Sequence, residues 1–388
     1  MEKKSALLKS VIFTLIGMVF FLMTNLSHAQ INDEDIIIGK YKKIYSDILN
    51  EERTLLVHLP SGYEKSQEKY PVLFVLDGGD IRTFSKVTGT VERLAYANIP
   101  NMIIVGIKNT DRERDMFPMK TEDDPTSGGG DNFLKFISEE LIPFVDKNYR
   151  TESFRILMGM SNSAFFTVYA LLENPSLFSA YIASSPTLLG WFDDLMYKKF
   201  AELNKKNDSL NKRFYLIYGK NDFSSILKAI PGFTKIIEEN APKDFMWEIK
   251  LNNDEGHVPY NGLYEGLQFV FSDWKYPSDK LEGATFQEVK TYYKQLSVKY
   301  GYNVEIPVMV LVNLGNDLVR NNKVNEALDI LKYNVELYPV NPSAHFSLGS
   351  AYEKNGEITL AIKHIEKAVE LDPSWTRVKR KLDELKKK

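Results

Sequence analysis

Between residues 35 and 274, short β-rich apolar runs alternate with stretches of helical periodicity, and this alternation restricts the possible folds more than any other feature of the chain. Apolar runs bounded by turn residues and separated by helices are the pattern of a mostly parallel sheet with helices on both faces, an α/β architecture. Strands are expected at residues 54–59, 71–76, 102–106, 154–158, 180–183 and 213–218, each rich in Val, Ile, Leu, Phe, Met or Tyr. Residues 132–149, 162–172 and 231–241 are expected as helices between them. The stretch 121–131 holds Pro125 and the consecutive glycines Gly128, Gly129 and Gly130, and is expected to be a mobile surface loop.

Further along, the pattern changes from alternation to repetition. Sliding the chain on itself by 34 residues superposes Leu314 on Leu348, Gly315 on Gly349, Ala327 on Ala361, Glu336 on Glu370, Leu337 on Leu371 and Pro339 on Pro373. That period resembles the tetratricopeptide repeat, a helix pair in which small residues let the two helices approach and a proline ends the second. Asn334 stands where the repeat usually has Ala, and Leu318 where it usually has Tyr. Two repeats followed by a polar capping helix at 377–388 fall short of the three that an independent solenoid needs, so the array is expected to lean on the helix at 285–300 and on the α/β domain. The expected organisation is therefore a leader at 1–29, an α/β domain at 30–277, a helical linker at 278–308, and a small all-α repeat domain at 309–388.

The leader is read from Lys3, Lys4 and Lys9 ahead of an apolar run at 11–23, which is shorter than the ~20 residues a membrane span requires. Ser27 and Ala29 suit a signal peptidase, which would leave Gln30 as the new N-terminus; the alternative is an uncleaved anchor. The protein is accordingly expected in the periplasm or outside the cell, with no stable membrane insertion after cleavage. A formal charge of −3 for the whole chain gives no support to a nucleic-acid partner. The absence of cysteine excludes disulfides, thiolate metal sites and a cysteine nucleophile.

The chemistry centres on Gly159, Met160, Ser161, Asn162 and Ser163, which lie between an expected strand and an expected helix. That context is a nucleophile elbow, a sharp turn that lifts a serine hydroxyl above the sheet and needs tiny neighbours two residues to either side. Gly159 meets the demand, and Ser163 replaces the usual glycine. A triad also needs a general base. Of the five histidines, His28 leaves with the leader, His58 precedes the serine, and His345 and His364 lie in the repeats, so His257 is the one that follows Ser161 on a loop before a helix. Asp222, just past the strand at 213–218, is the chosen acid, with Asp254 and Glu255 as competitors. Backbone amides for an oxyanion hole are expected from Asn162 and from Gly78 or Gly79 in the turn after the strand at 71–76.

These segments, with residues 109–115, 142–150, 182–186 and 257–266, resemble the family named Putative esterase, the α/β-hydrolases that include esterase D and the enterochelin esterases. The resemblance covers roughly residues 36–274. It implies an α/β-hydrolase fold and a serine hydrolase of carboxylic ester or thioester bonds that needs neither metal nor cofactor. Its expected substrates are small-molecule esters, such as siderophore lactones, or acyl groups linked to polysaccharide. In the matched segment Asp111, Arg112, Arg114 and Asp115 look like a charge network bracing a loop near the site. The histidine segment lacks the Gly-Ser that often follows this histidine in relatives. An alternative of another class is an inactive hydrolase domain used as a binding module, with the repeats recruiting a protein partner or self-associating; Ser163 is the feature that favours it.

Overall fold

The computed structural model describes residues 36–95, 98–121, 124–188, 198–202, 210–281 and 283–387. The expected leader at 1–29 lies outside the described residues.

Eight strands form one sheet in the order β1-β2-β4-β3-β5-β6-β7-β8. β1 (Lys40–Ser46) and β2 (Glu51–His58) are an antiparallel hairpin, and β2 pairs antiparallel with β4 (Ile103–Ile107). From there β4, β3 (Tyr70–Val75), β5 (Thr151–Met160), β6 (Ala180–Ser184), β7 (Arg213–Asn221) and β8 (Met246–Gly256) are all parallel. Every residue of β3, β4 and β6 is buried, as expected of parallel strands covered on both faces. The strands at the two edges, β1 and β8, escape the sequence reading because they are mostly polar and half-exposed, so neither presents an apolar run.

Among the described residues, one face of the sheet is covered mainly by three long helical elements, with Met116 and Phe200 adding to the same core. The first is α3, which runs as Gly130–Phe136, a π-helical turn Ile137–Leu141, and Ile142–Asn148; α4 (Asn162–Glu173) and α5 (Ser224–Asn240) are the others. Pro143, just after the π turn, has no N–H to donate to the preceding turn. α5 begins seven residues before the expected start at 231. Pro231 reads as a helix-initiating residue but sits inside the helix, because Ile226, Ala229 and Ile230 bury on the same face as Phe233 and Ile237.

The opposite face packs on α1 (Ile81–Ala95), α6 (Gly262–Val270) and α7 (Phe286–Tyr300). α7 opens on a capping box made by Thr285 and Glu288 and closes at Gly301, whose φ of 74° suits glycine. The first helix pair of the repeat region, α8 (Val308–Arg320) and α9 (Val324–Leu337), joins this same core through Leu311, Leu314 and Ile330. The second pair, α10 (Pro342–Lys354) and α11 (Ile358–Leu371), and the terminal α12 (Thr376–Leu385) share a separate core with Leu328 and Leu331 of α9. A Cβ on Gly315 would lie 2.6 Å from Leu331 Cγ, and one on Gly349 2.6 Å from Ile365 Cγ1, so both glycines permit the close helix contact read from the repeat.

The described part of the stretch 121–131 is tethered rather than free. Ser127 is buried, its hydroxyl accepts the Thr121 N–H and donates to the Asp124 carbonyl, and the Gly129 and Gly130 amides bond to Arg114 and Phe117 carbonyls.

Candidate active site

β5 delivers the chain to Ser161, which has φ 60° and ψ −123° before α4 begins at Asn162. A non-glycine residue rarely adopts such angles, and they persist only where the surroundings enforce them. Here the Ser161 N–H donates to the Ser184 carbonyl at 2.9 Å, and the Ser161 carbonyl accepts the Ala164 and Phe165 amides at 2.9 and 3.1 Å. The turn is so tight that a Cβ at Gly159 would lie 2.1 Å from the Ser163 carbonyl oxygen.

Ser163, which replaces the usual glycine, is fully buried and bonded on all sides. Its hydroxyl accepts the Met160 N–H at 2.8 Å and lies 2.8 Å from both Asp77 Oδ2 and the Met160 carbonyl, either of which can take its single proton. Asp77, at φ 57° in the turn after β3, also receives Arg112 through Nε at 2.9 Å and Nη2 at 2.8 Å, and Asn109 Nδ2 at 2.6 Å. Burial pushes the Asp77 carboxyl up, but the Arg112 bonds and charge, with Asn109 and Ser163, outweigh it and hold the group below the usual aspartate value. The elbow and the turn carrying Gly78 and Gly79 are thereby joined through one carboxylate. Both glycines have a steric reason: a Cβ on Gly78 would lie 2.5 Å from Gly106 Cα, and one on Gly79 2.4 Å from Lys108 Cβ.

The charged segment 111–115 divides its work. Asp111 caps the short helix α2 (Arg112–Met116) by accepting the Arg114 N–H, Arg112 clamps Asp77, and Arg114 bridges Glu51 and Asp115. Arg53 and Asp115 form a wholly buried pair at 2.6 Å. The Asp115 carboxyl is nonetheless held above its usual value because burial exceeds the help of its two arginines.

At the end of β7, Asp222 Oδ1 lies 2.7 Å from His257 Nδ1 and accepts the Phe223 N–H at 2.8 Å. Its Oδ2 accepts the Ser185 hydroxyl at 2.5 Å and the Gly219 N–H at 3.3 Å. Burial alone would raise the Asp222 carboxyl, and the bonds from Ser185, His257 and the two amides lower it below the ordinary range. Of the competing acids, Asp254 turns its amide to Asn252, while Glu255 accepts from Asn252 and from the Tyr260 N–H. The carboxylate on the histidine ring is that of Asp222. The Phe223 ring leans on the imidazole with centroids 4.6 Å apart.

Asn162 heads α4, where the first backbone amides have no partner within the helix. Its side chain bridges Glu113, at 2.9 and 3.1 Å, and Thr187, at 2.9 Å. The residues read from sequence therefore gather at the carboxyl ends of β3, β5, β7 and β8, where open α/β sheets bind ligands. Ser185, Glu113 and Phe223 were missed. The paired Ser184 and Ser185 at a strand end were the available signal for the first and the charged segment 109–115 for the second, whereas nothing local marks Phe223.

Residues 46–256 match the family described as Putative esterase, and residues 342–374 match the tetratricopeptide repeat. An uncharacterised Bacillus subtilis protein, YjcH, is 35% identical over 150 residues, which is 37% of this chain and 60% of that protein. The ferri-bacillibactin esterase BesA of the same organism is 30% identical over 165 residues, 36% of this chain and 56% of BesA. The chain thus spans less than two thirds of the length of these curated relatives. The structure of an IroE-like serine hydrolase from Shewanella oneidensis superposes with a TM-score of 0.66 at 28% identity, covering 77% of this chain and 99% of the other.

Proposed function

Because the chain belongs to the Putative esterase family, we propose that it is a carboxylic ester hydrolase in which Ser161, His257 and Asp222 act as a catalytic triad. The observation that carries this reading is the strained Ser161 elbow at the same sheet edge as the 2.7 Å Asp222–His257 pair. In the proposed reaction Ser161 Oγ attacks the ester carbonyl carbon while its proton passes to His257 Nε2. Asp222 holds the imidazole by its Nδ1–H and stabilises the cation that forms. The Asn162 amide and an amide of Gly78 or Gly79 receive the oxyanion, each donor worth ~2.7–4 kcal/mol. Collapse of the tetrahedral intermediate breaks the C–O bond, and the departing alkoxide takes the proton from His257. Water, deprotonated by His257, then releases the acid and restores Ser161.

For the substrate, the proposal is a siderophore-type lactone or a similar small-molecule ester. It is supported by the ferri-bacillibactin esterase relative and by the exposed Phe223 beside His257, an aromatic face at the site. Thioesters and polysaccharide-linked acyl groups are the chemistries to compare with it. The protein is further proposed to be exported by way of residues 1–29, and its repeats to take a protein partner or a second copy of the chain. The reading of an inactive binding module loses its main support, since Ser163 is an integral part of the elbow's hydrogen bonding.

Ser161→Ala is expected to cut turnover of a short p-nitrophenyl ester by ~10⁴–10⁶-fold, and a fluorophosphonate should label the wild type at Ser161 alone. Undiminished turnover or absent labelling refutes the triad. A panel of siderophore, feruloyl, acetyl and thioester substrates on the purified protein tests the substrate class.

A further inference from the structure

Ser185 bonds both the triad carboxylate of Asp222 and the backbone that follows His257. Ser185 follows β6, has φ 51°, and is fully buried, its amide donating to the Ile217 carbonyl at 2.7 Å. The hydroxyl uses both of its hydrogen-bonding capacities within the site. It donates to Asp222 Oδ2 at 2.5 Å and accepts the N–H of Val258, the residue after His257, at 2.8 Å. Val258 is itself held at φ 57°. One residue earlier, the Ser184 carbonyl receives the Ser161 amide. Two consecutive residues at one strand end therefore reach the nucleophile, the acid and the histidine loop.

We propose that Ser185 is a positioning residue of the triad, its hydroxyl locking the Asp222 carboxylate and the His257 backbone into one arrangement. With Ser185 on Oδ2 and His257 on Oδ1, the carboxylate cannot rotate without losing a bond from one oxygen. The Val258 bond fixes the height of the loop from which the imidazole projects. Rotation or slippage by a fraction of an ångström would misdirect Nε2, whereas substrate contacts would be untouched.

This inference rests on the triad reading, and the experiment separates the two. Ser185→Ala removes the hydroxyl. Ser185→Gly does so while accommodating the positive φ, so a folding failure of the first variant leaves the second to report. Active sites are counted by fluorophosphonate labelling of the full-length protein, and kcat per labelled site is compared with KM on a p-nitrophenyl ester. The expected result is a loss of roughly 10- to 100-fold in kcat per site, with KM within about twofold, because only transition-state geometry suffers. The far-downfield proton resonance of the Asp222–His257 hydrogen bond should also shift, since Asp222 loses a competing donor. A merely structural serine would lower the labelled fraction alone. Wild-type kcat per labelled site together with an unmoved resonance overturns the inference. Ser161→Ala, run alongside, decides the triad itself: if that variant turns over ester normally, the triad reading fails regardless of Ser185.

Discussion

Ser163 shows how far a residue's meaning depends on its neighbours. From the motif alone it is a departure from glycine and a reason to doubt the elbow. In the fold its hydroxyl satisfies the Met160 amide and reaches a part-buried carboxylate 86 positions away along the chain. Ser163→Ala would leave the Met160 amide without its acceptor and take one donor from Asp77, which keeps Arg112 and Asn109; an amide left unsatisfied in this way costs about 1–3 kcal/mol. The variant should therefore unfold at lower denaturant and turn over ester more slowly than the wild type. Ser163→Gly, which restores the usual residue, should likewise give no gain in kcat, because the turn with Gly78 and Gly79 loses its tie to the elbow. A faster Ser163→Gly enzyme would show that the serine is a defect after all.

At the scale of elements, the strand-to-helix turn of β5 and α4 is legible because its requirement is local. The space beside Gly159 is filled by the Ser163 carbonyl, so Gly159→Ala forces backbone rather than a flexible side chain to move. It is expected to abolish fluorophosphonate labelling and lower the thermal midpoint, and full labelling of that variant would contradict the strained-turn account. Other elements were harder to read for equally physical reasons. The polar edge strand β8, which leads into His257, lacks an apolar run, and Pro231 signals a helix start in a helix that tertiary burial extends backward. The 34-residue period reflects the packing within each helix pair, where Gly315 meets Leu331 and Gly349 meets Ile365.

For the molecule as a whole, the repeats are not a detached appendage. Leu311, Leu314 and Ile330 of the first pair, with Tyr293 and Tyr300 of α7, belong to the core that covers one face of the sheet, alongside Phe154 and Phe271. Burying each such large side chain contributes roughly 1.5–3 kcal/mol. Ending the chain after residue 280 should consequently yield aggregated, inactive protein. Ending it after residue 341 removes the core of α10, α11 and α12 while leaving the sheet covered, and should give soluble esterase with near-normal kcat. Equal behaviour of the two truncations in solubility and activity assays would show that the first repeat is no brace.

By itself the sequence determined the alternating α/β plan, the elbow at Ser161, the choice of His257 and the repeat period. Each of these rests on backbone geometry, chain order or periodicity within a few tens of residues. Tertiary structure alone decided which carboxylate meets His257, what Ser163 holds, what Ser185 bonds, and which face of the sheet the first repeat closes. Those answers depend on groups brought together across the sheet, such as Asp222 with His257 at a separation of 35 residues, and a linear pattern carries no distance between side chains on different strands.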